Sequence, residues 1–267
     1  MPRIAVAATA PLGADVLERL ARVHDVTSLL TRPDARSGRG RRTTPPPAKL
    51  VAERLGIRVA QPERLDTGLD LGADTVVVCA YGLIVPDALL EQGLWLNVHP
   101  SLLPRWRGAA PVERAILAGD GETGVTLHRT VAELDAGPIA AQESFPIGPE
   151  DDAGVVYATA AAVAARLLDQ VLGDGTPTFV PQPTEGVTYA DKILPADREL
   201  DLSRPADELV RRVRALSPHI GARAELHGRG VTVWRARVAG DGSFQPLEVQ
   251  PDGGRRMEYA AWLRGLR

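Results

Sequence analysis

One cysteine, Cys79, occurs among 267 residues. A lone thiol excludes an internal disulfide framework and a cysteine-based zinc site. Long apolar runs are missing as well, and none approaches the ~20 residues of a membrane span. The opening Met1-Pro2-Arg3-Ile4-Ala5-Val6-Ala7 lacks the hydrophobic core and cleavage site of a signal peptide. The expected address is the cytoplasm, with no membrane partner. Two nucleotide signatures are absent too. The turn Ala7-Ala8-Thr9-Ala10-Pro11-Leu12-Gly13 has no G-x-G-x-x-G, and no G-x-x-x-x-G-K-[ST] occurs, which argues against a dinucleotide and excludes a P-loop. Ser101 has no G-x-S-x-G setting, so a serine hydrolase is disfavoured. His24, His128, His219 and His227 show no metal-ligand spacing and read as surface or hydrogen-bonded histidines. No metal is expected.

What is present begins with the charge map. Net charge is −3, which alone argues against a general nucleic-acid binder. Its distribution is uneven. From Arg198 to Arg267 there are 13 Arg against 9 Asp plus Glu, so this part carries +4 and the rest −7. Within the acidic part, Arg32 to Lys49 holds six basic residues against one acid, Asp34. Two basic islands on an acidic chain suggest a localised polyanion contact. A solvated, Arg-rich surface is the alternative for either island.

Short apolar segments alternate with stretches of helical periodicity. Arg3–Ala8, Asp25–Thr31 and Asp74–Ala80 read as buried strands, and Pro11–Val23 as a helix with apolar residues on one face. Asp151-Asp152 precedes an Ala-rich segment predicted to be helical to Leu172. This pattern predicts an α/β fold with a mainly parallel sheet. Arg32 to Pro47 reads as a functional or disordered loop. The proline-rich stretch from Pro177 to Pro195 reads as a linker, and a small β-rich module follows it. The expected division is 1–180, a linker at 181–198, and a C-terminal domain at 199–267.

The most informative run is Leu96 to Pro111, which contains Asn97, His99 and Ser101-Leu102-Leu103-Pro104. A strand end projects residues i and i+2 to one side, so Asn97 and His99 can converge on one atom. Taken alone they could equally be structural. Asp135, in Glu133-Leu134-Asp135-Ala136-Gly137-Pro138, adds a carboxylate from a second strand-end turn. In an α/β fold such loops build the site. An amide, an imidazole and a carboxylate together suit attack on a carbonyl.

These residues resemble the folate-dependent formyltransferases over nearly the whole chain. The shared core is Asn97-Val98-His99, Ser101-Leu102-Leu103-Pro104 and the block from Gly124 to Gly137. Arg105-Trp106-Arg107-Gly108-Ala109-Ala110-Pro111, Ala80-Tyr81-Gly82-Leu83-Ile84 and the loop from Arg32 to Arg42 are similar to the branch that acts on tRNA. The resemblance implies a Rossmann-like catalytic domain with a C-terminal OB-like, tRNA-binding domain. It implies 10-formyltetrahydrofolate as donor and initiator Met-tRNA as acceptor. By position, Asn97, His99 and Asp135 match the catalytic residues, with Asn97 donating to an oxyanion and Asp135 orienting His99 and favouring its protonated form. Ser101, Leu102, Leu103 and Pro104 match the tetrahydrofolate-binding segment. Arg39, with Arg41 and Arg42, falls in the basic loop expected to meet the acceptor end. A monomer is expected. The core motifs fit a formyltransferase of nucleotide-linked amino sugars, or of another small amine, as well. After Val238 about two strands of the barrel are missing, so the sheet either stays open or is covered by another element.

Overall fold

The computed structural model describes residues 3–37, 42–173 and 177–266. The chain divides into two compact units. The first comprises Met1–Arg107, Gly124–Ser144 and Ala158–Thr188; the second comprises Gly108–Thr123, Phe145–Tyr157 and Tyr189–Arg267.

The first unit opens with β1 (Ile4–Ala8), α1 (Pro11–Leu20), β2 (Val26–Leu30), β3 (Ala35–Ser37), β4 (Arg42–Thr44) and α2 (Pro47–Leu55). Next come β5 (Arg58–Ala60), β6 (Thr75–Cys79), α3 (Asp87–Leu90) and β7 (Leu94–His99). In chain order there follow β8 (Arg107–Gly108), α4 (Pro111–Ala118) of the second unit, β9 (Glu122–Arg129), β10 (Ile139–Pro146) and α5 (Ala153–Gly173), whose residues up to Tyr157 also belong to the second unit. One sheet has the order β10-β9-β7-β6-β1-β2-β5. From β5 to β7 every pairing is parallel, and β9 joins β7 antiparallel. The parallel centre follows from composition: β1 and β6 are apolar and wholly buried, as strands covered on both faces must be.

Pro11 starts α1, where its missing N–H costs nothing. Gly13 matters in the same helix. A Cβ there would lie 2.4 Å from the Cys79 carbonyl oxygen and 2.6 Å from the Ala8 Cβ, so only glycine lets the helix sit this close to the sheet. At the start of α5, the Val155 amide donates to Asp152 Oδ1 (3.0 Å), the expected cap of that helix. Among the described residues, α5 alone has the length and hydropathy of a membrane span. Val156, Ala160, Ala164, Leu167 and Leu168 along it are buried in protein, as in a core helix.

The expected broken loop after Arg32 is partly regular. β3 and β4 form an antiparallel hairpin with Ala35 opposite Thr44 and Ser37 opposite Arg42. Backbone pairing needs no apolar side chains, which is why hydrophobic periodicity missed it.

The second unit continues through β11 (Tyr189–Ala190) and a 3-10 turn, Pro195–Arg198, to α6 (Ala206–Leu216). It ends with β12 (Ala222–Leu226), β13 (Arg229–Val238), β14 (Phe244–Pro251), β15 (Met257–Glu258) and α7 (Tyr259–Arg264). The last four strands make an antiparallel sheet in the order β12-β13-β14-β15. It is open and does not close into a barrel. Leu209, Val213 and Leu216 of α6 and Trp262 of α7 share one core with Val231, Val233 and Val249 of the sheet. The two helices therefore pack on the sheet and bury its apolar residues. At the β12 edge, the Leu200 amide donates to the Arg223 carbonyl (2.7 Å), which blunts that edge.

Candidate active site

Register places the first three side chains. In the β7–β9 ladder Asn97 stands opposite His128, and His99 opposite Thr126. Asn97 and His99, two apart on β7, share a face; His128 reaches the same side from β9. Asp135 comes from the turn between β9 and β10. Its φ is +48°, a left-handed conformation that Asp tolerates better than most residues. Gly137 closes this turn: a Cβ there would lie 1.7 Å from the Arg129 carbonyl oxygen.

The side chains converge. Asn97 Nδ2 lies 2.9 Å from His128 Nε2 and donates to Asp135 Oδ1 at 3.2 Å. Asp135 Oδ2 is 3.6 Å from His99 Nδ1, and Oδ1 is 3.6 Å from His128 Nε2. All four groups lie in the first unit. The hydrogens follow from the acceptors. His128 Nδ1 is 3.0 Å from the Arg129 carbonyl, which only accepts, so Nδ1 carries the hydrogen and Nε2 accepts from Asn97. Both amide hydrogens of Asn97 are thus engaged by the protein. The expected donation from Asn97 to an oxyanion requires one of these bonds to be given up.

His99 is fixed the same way. Its Nε2 lies 2.8 Å from the Trp106 carbonyl and donates to it. Nδ1 therefore faces Asp135 with a lone pair when the ring is neutral and with a hydrogen when it is charged. Imidazole and carboxylate can hold one proton between them. Burial pushes the His99 pKa below the ordinary histidine value; Asp135 and the Trp106 carbonyl pull it back up, and His128 pushes it down again. Asp135 favours the protonated form of His99, but desolvation outweighs the carboxylate and the pKa stays below the ordinary histidine value.

The segment after His99 is held rigidly. Buried Thr126 donates its hydroxyl to the Ser101 carbonyl (2.6 Å) and accepts from the Leu103 amide (3.1 Å) and Gln142 Nε2 (2.7 Å). The Ser101 hydroxyl is spent on the Arg105 carbonyl (2.7 Å). Ser101 and Leu103 are buried, whereas Leu102 and Pro104 are half-buried. Arg39 and Arg41 lie outside the described residues. Arg42 begins β4, and its side chain also lies outside them.

Periodicity and motif spacing passed over His128 as an ordinary satisfied histidine. The available signal was the alternation along the buried stretch Val125–His128, in which Thr126 and His128, two apart, are polar between apolar Val125 and Leu127.

A half-buried amide and carboxylate with two buried imidazoles, at the carboxyl end of a mainly parallel sheet, define an α/β enzyme site able to move protons beside a reacting carbonyl. Residues 3–172 match the formyl transferase family, and residues 192–246 match the formyl transferase C-terminal domain. The chain belongs to the formyl transferase family. It is similar to the methionyl-tRNA formyltransferase of Paracoccus denitrificans (strain Pd 1222), 39% identical over 290 residues, with 99% of this chain and 97% of that protein covered. The methionyl-tRNA formyltransferase of Xanthomonas oryzae pv. oryzae (strain PXO99A) is 44% identical over 264 residues, covering 94% of this chain and 84% of that protein. The fold is shared with the solved N-formyltransferase of Helicobacter canadensis in complex with folinic acid and dTDP-3-aminofucose: TM-score 0.65, 18% identity, 90% of this chain and 88% of that one covered.

Proposed function

We propose that this protein transfers the formyl group of 10-formyltetrahydrofolate to the free α-amino group of methionyl-initiator tRNA in the cytoplasm. The observation that carries the reading is the convergence of Asn97, His99 and Asp135 on one proton-handling cluster. The acceptor is argued from similarity to methionyl-tRNA formyltransferases over nearly the full chain.

The chemistry needs one bond made and one broken. An α-amino group has a pKa near ~8, so a useful neutral fraction exists at pH 7. Its nitrogen attacks the formyl carbon, negative charge develops on the formyl oxygen, and the bond from carbon to folate N10 breaks. The amine loses a proton and N10 gains one. Asn97 exchanges its longer bond, the 3.2 Å one to Asp135, for the formyl oxygen. That exchange also frees Asp135 Oδ1 to accept the amine's proton, directly or through water. The pair of His99 Nδ1 and Asp135 then holds the proton until N10 leaves. A single oxyanion donor of this kind commonly contributes ~3–4 kcal/mol.

In this reading Ser101, Leu102, Leu103 and Pro104 hold the folate. Buried Ser101 and Leu103 would act through backbone groups, and half-exposed Leu102 and Pro104 through side chains. Arg39, Arg41 and Arg42 would meet tRNA phosphates or stack on an unpaired base. Trp106, with the Arg105 guanidinium 4.4 Å from its ring centroid, is a further stacking surface next to His99. Residues 1–180 would be the catalytic domain, 181–198 the linker and 199–267 the tRNA-binding domain, in a monomer that uses no metal.

The deciding experiment incubates the protein with 10-formyltetrahydrofolate and either charged initiator tRNA or a panel of nucleotide-linked amino sugars. Formyl-methionyl-tRNA as the dominant product is expected. Formylated sugar with unmodified tRNA would replace this reading with the small-amine one.

A further inference from the structure

Gln182 lies in the proline-rich stretch read as a linker, yet its side chain is fully committed. Its Nε2 donates to the Asp135 carbonyl (2.7 Å) and to the Gly137 carbonyl (2.8 Å). Its Oε1 accepts from Arg107 Nε (3.1 Å) and Nη2 (2.7 Å). Arg107 is 8% exposed, and its Nη1 reaches Glu133 in the same turn at 3.4 Å. A planar guanidinium gripping one amide oxygen through two N–H groups is a geometry that lysine cannot reproduce.

The residue before Arg107 holds the other half of the site. The Trp106 carbonyl receives His99 Nε2, and the Trp106 amide donates to Thr188 Oγ1 at 2.9 Å. The dipeptide Trp106-Arg107 therefore grips His99 through a carbonyl and the Asp135 turn through Gln182. Asp135 occupies a left-handed conformation that lasts only where its surroundings over-determine it. Two anchored carbonyls at 135 and 137 supply that constraint.

We propose that Arg107 and Gln182 are positioning residues, a brace that sets the distance between His99 and Asp135. The inference rests on reading that pair as the proton-handling centre. Neither residue touches the reacting atoms. Their effect is to hold an imidazole from one strand and a carboxylate from a separate turn at 3.6 Å.

The test uses Gln182→Met, which keeps the length and loses all four bonds, and Gln182→Glu, which keeps an acceptor for Arg107 and loses both donors. Arg107→Lys is the third variant. Turnover, KM for both substrates and imidazole ¹⁵N NMR titration of His99 are measured, with circular dichroism to establish folding. The groups facing His99 are Asp135, His128 and the Trp106 carbonyl. Only Asp135 is released when the brace is cut, so the His99 titration should move to lower pH in Gln182→Met and Arg107→Lys, which leave the charge unchanged and carry this readout; Gln182→Glu adds a carboxylate and is read by activity. kcat should fall about 10- to 100-fold with KM nearly unchanged, the usual effect of a misplacement near 1 Å. An unmoved His99 titration overturns the brace, whatever happens to activity. A moved titration with native turnover refutes the pair's role in the reaction while the brace itself stands.

Discussion

Asp135→Asn isolates charge from shape. The amide has the volume of the carboxylate, and its oxygen can still accept from Asn97 Nδ2, now 3.2 Å from Oδ1. Packing around the turn is therefore retained, and the melting temperature should stay within a few degrees of native. What disappears is the negative charge 3.6 Å from His99 Nδ1. That charge raises the His99 pKa against a larger desolvation effect. Without it, burial acts unopposed by any carboxylate and the ring stays neutral at still lower pH. The imidazole and its partner can no longer share a proton, and no carboxylate remains to take one from the amine. Positioned acid–base groups contribute about 10²–10⁴-fold to rate, which is about 3–5 kcal/mol of barrier. Turnover under saturating substrates, measured as formylated tRNA, should fall by that factor while KM changes little. A folded Asp135→Asn protein with turnover within about threefold of native would refute the reasoning, since such a ratio lies far below any acid–base contribution.

Three further outcomes follow from the same geometry. His128→Leu removes the acceptor 2.9 Å from Asn97 Nδ2; losing one hydrogen bond at this half-buried amide costs about 0.5–1.5 kcal/mol, so urea titration should show that loss together with reduced kcat, and native values of both would exclude His128 as an anchor. Stability should fall on acidification through His99. Its folded pKa is lowered, so the unfolded chain binds the proton first; the contribution is present above the unfolded value of ~6.5 and is lost as pH drops through the folded one, by at most about 1.4 kcal/mol per unit. A His99→Gln protein with an unchanged slope of stability against pH would contradict this. Finally, Arg39→Ala should raise KM for tRNA and lower the salt slope of binding by about one; an unaltered slope would remove Arg39 from the contact surface.

Much of the fold was legible because the relevant signals are local. Ile4–Ala8 and Thr75–Cys79 are short apolar runs, and each proved to be a wholly buried parallel strand. Pro11 and Asp152 marked helix starts through backbone chemistry that needs no distant partner. The hairpin at Ala35–Ser37 and Arg42–Thr44 escaped notice because its side chains carry no apolar alternation. The stretch around Gln182 escaped for a related reason: prolines break periodicity whether a segment is free or pinned, and here the Val180 amide and carbonyl both pair with Ile139.

Asn97, His99 and Asp135 could be picked out from residue type and spacing, since a strand end and a turn project side chains in directions that the chain dictates nearby. Their hydrogen bonding could not. That His128 faces Asn97 depends on the register of β7 against β9, and that Asn97 has no amide hydrogen to spare depends on His128 and Asp135 arriving together. The protonation balance of His99 likewise depends on burial, a property of the assembled core. Residue identity determined which groups could do chemistry here; only long-range packing decided which atoms they face, because each of those contacts joins strands and turns far apart in the chain.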